Sequence, residues 1–266
     1  GYTKDPQEAI HYVDKHDNQT FHDYSVYKNP AGTSPADRVR VHNMGNSLVI
    51  LSQGVPFLHA GTDIMRSKSG DRDSYDSGDW HNELNWPNDP DWSLTGSKWA
   101  QGLPIADKNS DAWPILLNKY LDTTTRPGTT EMQRSFDHVK EMLRIRKSSP
   151  LFRLPNQEQV DLRLKFYNTG STQVPGLVAM GIDGCTEPNF TPGEGAVMLI
   201  FNASDEARTL NLFGTEAWTL HPVLVSSTDP VVRTARHDES GFFVPARTTA
   251  VFQRAVQRSC APYPRD

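Results

Sequence analysis

Tyr12-Val13-Asp14-Lys15-His16-Asp17-Asn18-Gln19-Thr20 changes character within nine residues: it completes the apolar run Ala9-Ile10-His11-Tyr12-Val13 and turns wholly polar at Asp14. A β-rich run cut off this abruptly predicts a buried strand ending near Asp14, with His16 and Asp17 just past its C-terminal end. Next in sequence, Ser34-Pro35-Ala36-Asp37 is a helix start, with a hydroxyl cap, proline at the first helical position and an acid in the first turn. Val41, Met44, Leu48 and Leu51 extend it at helical spacing, and Gly54 stops it. Val55-Pro56-Phe57-Leu58-His59-Ala60 then reads as a second buried strand. Strand, helix, strand is a βαβ unit, which implies a parallel sheet with helices packed outside.

From Gly61 to about Gly128 the chain is rich in Asp, Ser, Asn, Gly, Trp and Pro, which predicts a long loop region rather than packed elements. Loops of that length inside a domain are usually functional. Thr130-Glu131-Met132-Gln133 fits a capping box, and Phe136, Val139 and Leu143, with Met132 and Met142, give the following helix its apolar face, up to Pro150. Beyond Leu151 the period becomes two. Val160, Leu162, Leu164 and Phe166 alternate with polar neighbours, and β-rich runs follow at residues 177–182, 196–201, 217–225 and 248–252. The expected fold class is therefore α/β plus all-β, with a boundary near Pro150, an α/β part over 1–150 and an antiparallel β-sandwich over 151–266. Neither an internal repeat nor a low-complexity tract interrupts either part.

The 266 residues carry a net charge of −5, so no basic face is offered to a phosphate backbone and nucleic acid is not an expected partner. No run of about 18 apolar residues predicts a membrane span, and Gly1-Tyr2-Thr3-Lys4-Asp5-Pro6 lacks the basic and apolar regions of an export signal. Cys185 and Cys260 fit neither a zinc spacing nor a disulfide framework, which leaves the redox compartment open.

A carboxylate beyond the C-terminal end of a parallel strand is placed where (β/α)8 enzymes gather their catalytic groups, which singles out Asp17 and its neighbour His16. The bland alternative is a loop pair making turn hydrogen bonds. A second polar patch, Arg66-Ser67-Lys68-Ser69-Gly70-Asp71-Arg72-Asp73-Ser74-Tyr75-Asp76-Ser77-Gly78-Asp79-Trp80, combines carboxylates, guanidinium groups and aromatic rings. Sugars need such acceptors, donors and flat faces. Asp-Arg pairs this close also suit simple bracing of the loop. Asp71, Asp73, Asp76 and Asp79 are hard oxygen ligands at short intervals, but they lack the Gly and terminal Glu offsets of a calcium loop.

In its full nine-residue context the His16-Asp17 stretch resembles the motif ending the seventh barrel strand in the α-amylase clan of glycoside hydrolases. Its Asn18-Gln19-Thr20 continuation looks like the pullulanase and limit dextrinase branch. The Arg66–Trp80 patch, following His59-Ala60-Gly61-Thr62-Asp63, is very similar to the loop after the eighth strand in that branch. Gly102-Leu103-Pro104, Lys108-Asn109, Trp113-Pro114, residues 149–154, His221-Pro222-Val223 and residues 245–252 look like the same branch, whereas His81 stands where the branch commonly carries an aromatic.

The resemblance implies the C-terminal part of a (β/α)8 TIM barrel over residues 1–150, followed by the β-sandwich. It implies retaining hydrolysis of α-1,6-glucosidic linkages in pullulan, amylopectin or limit dextrins. Asp17 would stabilise the transition state, accepting hydrogen bonds from a distorted glucose to which His16 donates. Arg72 would contact the neighbouring sugar, with Asn18, Asp71, Asp73, Tyr75, Asp79 and Trp80 as further substrate contacts. A retaining glycosidase also needs a nucleophile and an acid roughly 5 to 5.5 Å apart. In this clan both lie upstream of the His-Asp motif, so the chain is expected to be inactive alone and to need the N-terminal remainder of the barrel as partner beside its α-glucan substrate. Gly193-Glu194-Gly195 comes too late to be the acid and reads as a turn. No cofactor is required for this chemistry and no metal site is placed, though a structural calcium is compatible with the aspartates. A plastid, or secretion to a bacterial surface, suits the family. The competing expectation is a non-catalytic glucan-binding protein that keeps its subsites. A third is that the sandwich is only a stabilising domain with no ligand of its own, in which case replacing surface aromatics such as Trp218 would leave glucan affinity unchanged.

Overall fold

The computed structural model describes residues 3–84, 97–187, 194–213 and 217–255. Strands β1 (Ile10–His11) and β2 (Val55–Pro56) pair in parallel, Ile10 opposite Val55, and the helix Pro35–Leu51 lies between them in sequence, so the βαβ unit is present. Both strands are shorter than the sequence suggests and are not buried: Ile10 is 60% exposed. Among the described residues they bond only to each other, and a parallel pair with no neighbours leaves its side chains uncovered. The helix starts as expected, with the Asp37 amide donating to Ser34 Oγ at 3.1 Å. Gly54 follows its end at φ 102°, where a Cβ would stand 2.8 Å from the Pro6 carbonyl oxygen, so both backbone angle and space require glycine. Arg146 donates to the carbonyls of Ile50, Ser52 and Gly54, each at 2.7 Å, and so satisfies oxygens that the helix end leaves open.

Two compact units are formed, one of residues 12–49 and 57–139, the other of residues 1–11, 50–56 and 140–266. In the first, the polar stretch expected to be loop contains the helices Ala106–Asn109 and Trp113–Leu121, while its residues 85–96 lie outside the described residues. In one apolar cluster of this unit Val26, Trp99 and Leu116 are fully buried, with Trp113 and Tyr120 packed on them, and Trp99 Nε1 donates to Thr125 Oγ1 at 2.8 Å. Aromatic residues spaced through a polar segment escape a periodicity test yet suffice to pack a short helix. The helix Thr129–Ser148 ends before Pro150 and buries Met132, Val139, Met142 and Ile145, whereas Leu143, assigned to the apolar face, is exposed.

In the second unit, β3 (Leu164–Tyr167), β4 (Leu177–Asp183), β5 (Glu194–Asn202), β10 (Thr248–Ala255) and β7 (Thr219–Leu220) form an antiparallel sheet in the order β3-β4-β5-β10-β7. A second antiparallel sheet has the order β6-β9-β8, from Arg208–Leu210, Gly241–Val244 and Arg236–Asp238. Met198, Ile200, Ala250 and Phe252 of the first sheet and Leu210, Phe242 and Val244 of the second belong to one apolar cluster. Trp218, a candidate surface aromatic, is buried in that cluster, which marks it as packing rather than a sugar platform. Asn202, fully buried, donates to the carbonyls of Val244 and Pro245 at 3.1 and 2.9 Å.

Several local readings are corrected. The alternation from Val160 is helical up to Arg163: Asn156 caps the turn by accepting from the Gln159 amide at 3.0 Å, and Arg163 reaches back to Gln159 Oε1 at 2.8 Å. Of residues 217–225, only Thr219–Leu220 is strand; Pro222 opens a helical turn, as suits a residue without an amide hydrogen. Glu194 and Gly195 start β5 rather than forming a turn, and Pro192 and Gly193 lie outside the described residues. A Cβ at Gly195 would stand 2.8 Å from the Arg254 carbonyl oxygen, beside the register shift of β10, so the glycine serves close strand approach. Cys185 is disulfide-bonded, contrary to the reading from sequence separation, which says nothing of distance in space; Cys260 lies outside the described residues. No helix among the described residues is long and apolar enough to cross a membrane.

His221 gives this unit an acid-sensitive point. Its Nδ1 accepts from the Val223 amide at 3.2 Å and its Nε2 lies 3.2 Å from Ser148 Oγ, so the ring is neutral with its proton on Nε2. Burial lowers its pKa from 6.5 to about 4. A depressed folded-state value means stability is intact above the unfolded-state value and is lost as pH falls through the interval toward about 4. The expected loss is about 3 kcal/mol. Urea midpoints of wild type and His221→Gln between pH 7 and pH 4 check it: the wild type should fall more steeply, and equal slopes would refute the assignment.

Candidate functional site

The segment after β1 is closed into a loop by Asp14, whose Oδ2 accepts from the Phe21 amide at 2.8 Å. His59 Nδ1 lies 3.4 Å from the same oxygen, and Arg66 donates to His59 Nε2 at 3.0 Å, which leaves the ring proton on Nδ1 facing Asp14. Within this loop Asn18 takes φ 60°, a left-handed conformation that asparagine tolerates, and the chain turns directly after Asp17. His16 and Asp17 stand out from the turn, with side chains 84% and 60% exposed and His16 Nδ1 3.2 Å from Asp17 Oδ1. Lys15 also pairs with Asp17. That hydrogen bond is the main reason the Asp17 carboxyl lies below the ordinary carboxylate range, with His16, Lys15 and Lys68 adding favourable charge. At neutral pH the group is a carboxylate, an acceptor for hydroxyl donors.

The helix Phe21–Lys28 follows, capped by Thr20, and it presents Asp23 inward. Asp23 is fully buried and accepts from Ser67 Oγ at 2.5 Å and from the amides of Lys68 and Gly70, each at 2.9 Å. Burial pushes its carboxyl up to about 6, against the pull of these donors and the Lys68 charge. One side chain thus shapes the start of the acidic loop. Tyr120 reinforces it, donating to the Ser69 carbonyl at 2.7 Å.

Residues 71–80 divide into braces and an exposed face. Asp71 is fully buried, and its Oδ1 accepts from the Asp73 amide at 2.9 Å and from Asn109 Nδ2 at 3.1 Å. Asn109 Oδ1 in turn accepts from the Arg72 amide at 3.2 Å. The Arg72 guanidinium grips Asp111 with two bonds of 3.1 and 3.0 Å and donates to the Lys108 carbonyl at 3.0 Å, while remaining 43% exposed. Asp73 and Asp76 lie 3.5 and 2.6 Å from the Lys108 ammonium, whose pKa is raised chiefly by the Asp76 bond. Tyr75 is 90% exposed, with that ammonium 5.4 Å from its ring centre. Trp80 is partly exposed beside the Lys98 ammonium and packs edge-on against buried His81. Asp79, exposed, opens the short helix Asp79–Asn82.

The two candidate segments are therefore brought together, by contacts that the sequence did not announce. Asp14, Asp23, Lys68, His59, Lys108 and Asp111 brace these segments; Asp14, Lys68, His59 and Lys108 lie in stretches quoted from the sequence, but none of the six was named there as a site residue. Thr20 followed three positions later by Asp23 is a helix-start pattern that would have placed Asp23 on a first turn. Among the described residues no group of three or more His, Cys, Asp or Glu is placed to hold a metal ion. What the arrangement offers is a carboxylate and an imidazole at a loop tip, near a braced loop carrying a phenol, an indole and a guanidinium. Such groups suit a hydroxyl-rich ligand with flat apolar faces.

A family model described as alpha-1,6-glucosidases, pullulanase-type, C-terminal, matches residues 94–255. The chain is 39% identical over 260 residues to Pullulanase 1, chloroplastic, of Arabidopsis thaliana, covering 94% of this chain and 26% of that protein. It is also 39% identical over 227 residues to the pullulanase of Klebsiella pneumoniae, covering 84% of this chain and 20% of that one. Among solved structures, PulA of Klebsiella oxytoca superposes with a TM-score of 0.90 at 31% identity, covering 98% of this chain and 24% of the other. A maltotriose complex of PulA from Klebsiella pneumoniae gives 0.88 at 30% identity, covering 98% and 28%. The chain thus spans about a quarter of the length of these relatives.

Proposed function

The chain belongs to the pullulanase-type α-1,6-glucosidases, and on that premise we propose that it works as the C-terminal part of a debranching glycoside hydrolase acting on pullulan, amylopectin or limit dextrins. Residues before about Pro150 supply the last strands of a (β/α)8 barrel, and the two antiparallel sheets after it form a β-sandwich. The observation that carries this reading is the exposed, ionised Asp17 beside His16, in the polar segment that follows strand β1 of the parallel pair in sequence. Asp17 accepts hydrogen bonds from ring hydroxyls as the sugar flattens toward an oxocarbenium ion, and His16 donates to the same sugar. Asn18 turns the chain so that both face the substrate. Tyr75 and Trp80 offer ring faces to neighbouring glucose units, with Asp73, Asp79 and the free edge of Arg72 as polar contacts. Asp71, being buried, supports that surface from beneath.

The nucleophile and the general acid belong to the N-terminal remainder of the barrel, which is this chain's partner, and the mechanism is retaining. No cofactor enters the chemistry. The relatives include a chloroplastic protein and bacterial ones, and either setting suits an enzyme of glucan breakdown. The test is release of linear maltooligosaccharides from pullulan by the full-length protein and by residues 1–266 alone. Turnover by the former and none by the latter is expected. Glucan binding without turnover by the full-length protein would replace the enzyme with a binding protein.

A further inference from the structure

Lys68 is a buried cation whose ammonium has no carboxylate within salt-bridge distance among the described residues. Its side chain is only 1% exposed, and its Nζ donates to the His16 carbonyl at 3.0 Å and to Ser74 Oγ at 3.1 Å. An ammonium taken out of water without an ion pair is costly, and a methionine of similar length would fill the same space at less expense. Its hydrogen bonds therefore serve something other than packing. The residue is also fixed at its backbone: its amide donates to Asp23 at 2.9 Å, and its carbonyl lies 3.4 Å from His81 Nδ1. Ser74 Oγ in turn donates to Asn82 Oδ1 at 2.9 Å. One side chain thus ties the backbone of the His16-Asp17 turn to the loop bearing Tyr75 and Trp80.

We infer that Lys68 is a positioning residue for the sugar-gripping turn, its ammonium holding the His16 carbonyl so that Asp17 and His16 keep a fixed direction relative to the acidic loop. This rests on the hydrolase reading above. Lys68 touches neither substrate nor reacting atoms in this account; it acts through the His16 backbone. Its charge also favours the carboxylate form of Asp17, which a neutral replacement would not. A misplacement of about 1 Å at a reacting centre costs on the order of 100-fold in rate. Bonds that tighten only in the transition state show this in kcat rather than KM.

The experiment compares wild type, Lys68→Met, Lys68→Arg and Ser74→Ala in the full-length protein, reading pullulan hydrolysis and amide hydrogen exchange. Lys68→Met should lower kcat about 100-fold with KM changed less than about threefold. It should speed exchange in peptides covering residues 14–18, with no change over residues 35–50. Lys68→Arg, which keeps a donor for the carbonyl, and Ser74→Ala, which leaves that bond in place, should both stay within about tenfold of wild type. Unchanged exchange at residues 14–18 in Lys68→Met, or a kcat within threefold of wild type, overturns the inference. Should Lys68→Met lose protection everywhere, the arginine variant decides: intact exchange with a kcat as low as that of Asp17→Ala overturns it. Loosened exchange at residues 14–18 in a protein whose wild type leaves pullulan intact would sink the hydrolase reading while the anchoring of the turn stands.

Discussion

Asp17→Ala in the full-length protein is expected to lower kcat on pullulan by about 10³-fold or more, while binding of maltotriose weakens far less. The carboxylate is exposed and its main-chain neighbours are satisfied without it, so the substitution removes chemistry and leaves the fold alone. On the proposed reading its carboxylate accepts hydrogen bonds that strengthen as positive charge develops in the ring, and such bonds are worth several kcal/mol in the transition state. Asp17→Asn should be nearly as damaging, because an amide offers one acceptor and a donor where two anionic oxygens stood. Because Lys15 holds the Asp17 carboxyl below its usual range, an acid limb in the pH profile near pH 5 or above must be assigned to another group. Steady-state kinetics with isothermal titration of maltotriose check the split. A loss confined to KM would make Asp17 a ground-state contact.

The parts of this molecule that sequence made legible are those governed by local rules. Ser34, Pro35 and Asp37 announced the start of a helix, and Asp37 donates its amide to Ser34 as such a start requires. Gly54 marked its end, and β4, β5 and β10 followed from runs of apolar, β-branched residues. Failures arose where two periods overlap or where tertiary contacts decide. Val160, Leu162 and Leu164 satisfy a strand pattern, but Asn156 caps a helical turn and the pairing of Gln159 with Arg163 one turn later stabilises it. Ile10 and Val55 have strand composition and remain exposed, since composition does not reveal what lies alongside. For the candidate site, motif reading singled out Asp17, His16 and the Asp71–Trp80 loop. It treated Asp71 and Tyr75 alike, although one is fully buried and the other almost fully exposed. Alternation and motif carry no information on which of several aspartates faces inward; that depends on Asn109, thirty-eight residues away in sequence, reaching Asp71.

The largest stability effect is expected at Asp23, for reasons of geometry. Its two oxygens receive three donors, from Ser67, Lys68 and Gly70, and the side chain is fully buried. In Asp23→Ala the Lys68 and Gly70 amides, which share Oδ2, are both left buried without their acceptor. Each such orphan costs about 1–3 kcal/mol, and lost charge-assisted bonds add to it, for a total of about 4 kcal/mol. Relief from burying a charge offsets part of this, since the carboxyl is already pushed toward neutrality. Differential scanning calorimetry and hydrogen exchange of the full-length protein test the expectation. Exchange should quicken over residues 67–80 before it does in β5 or β10. Activity should then fall together with protection of that loop, because Lys68 and Asp71 lose their places when the Lys68 and Gly70 amides are released. If Asp23→Ala keeps full stability while the loop loosens, the carboxylate orders the site without holding the unit together. If neither changes, Tyr120, bonded to the Ser69 carbonyl, suffices to shape the loop, and the buried acid has no structural task there.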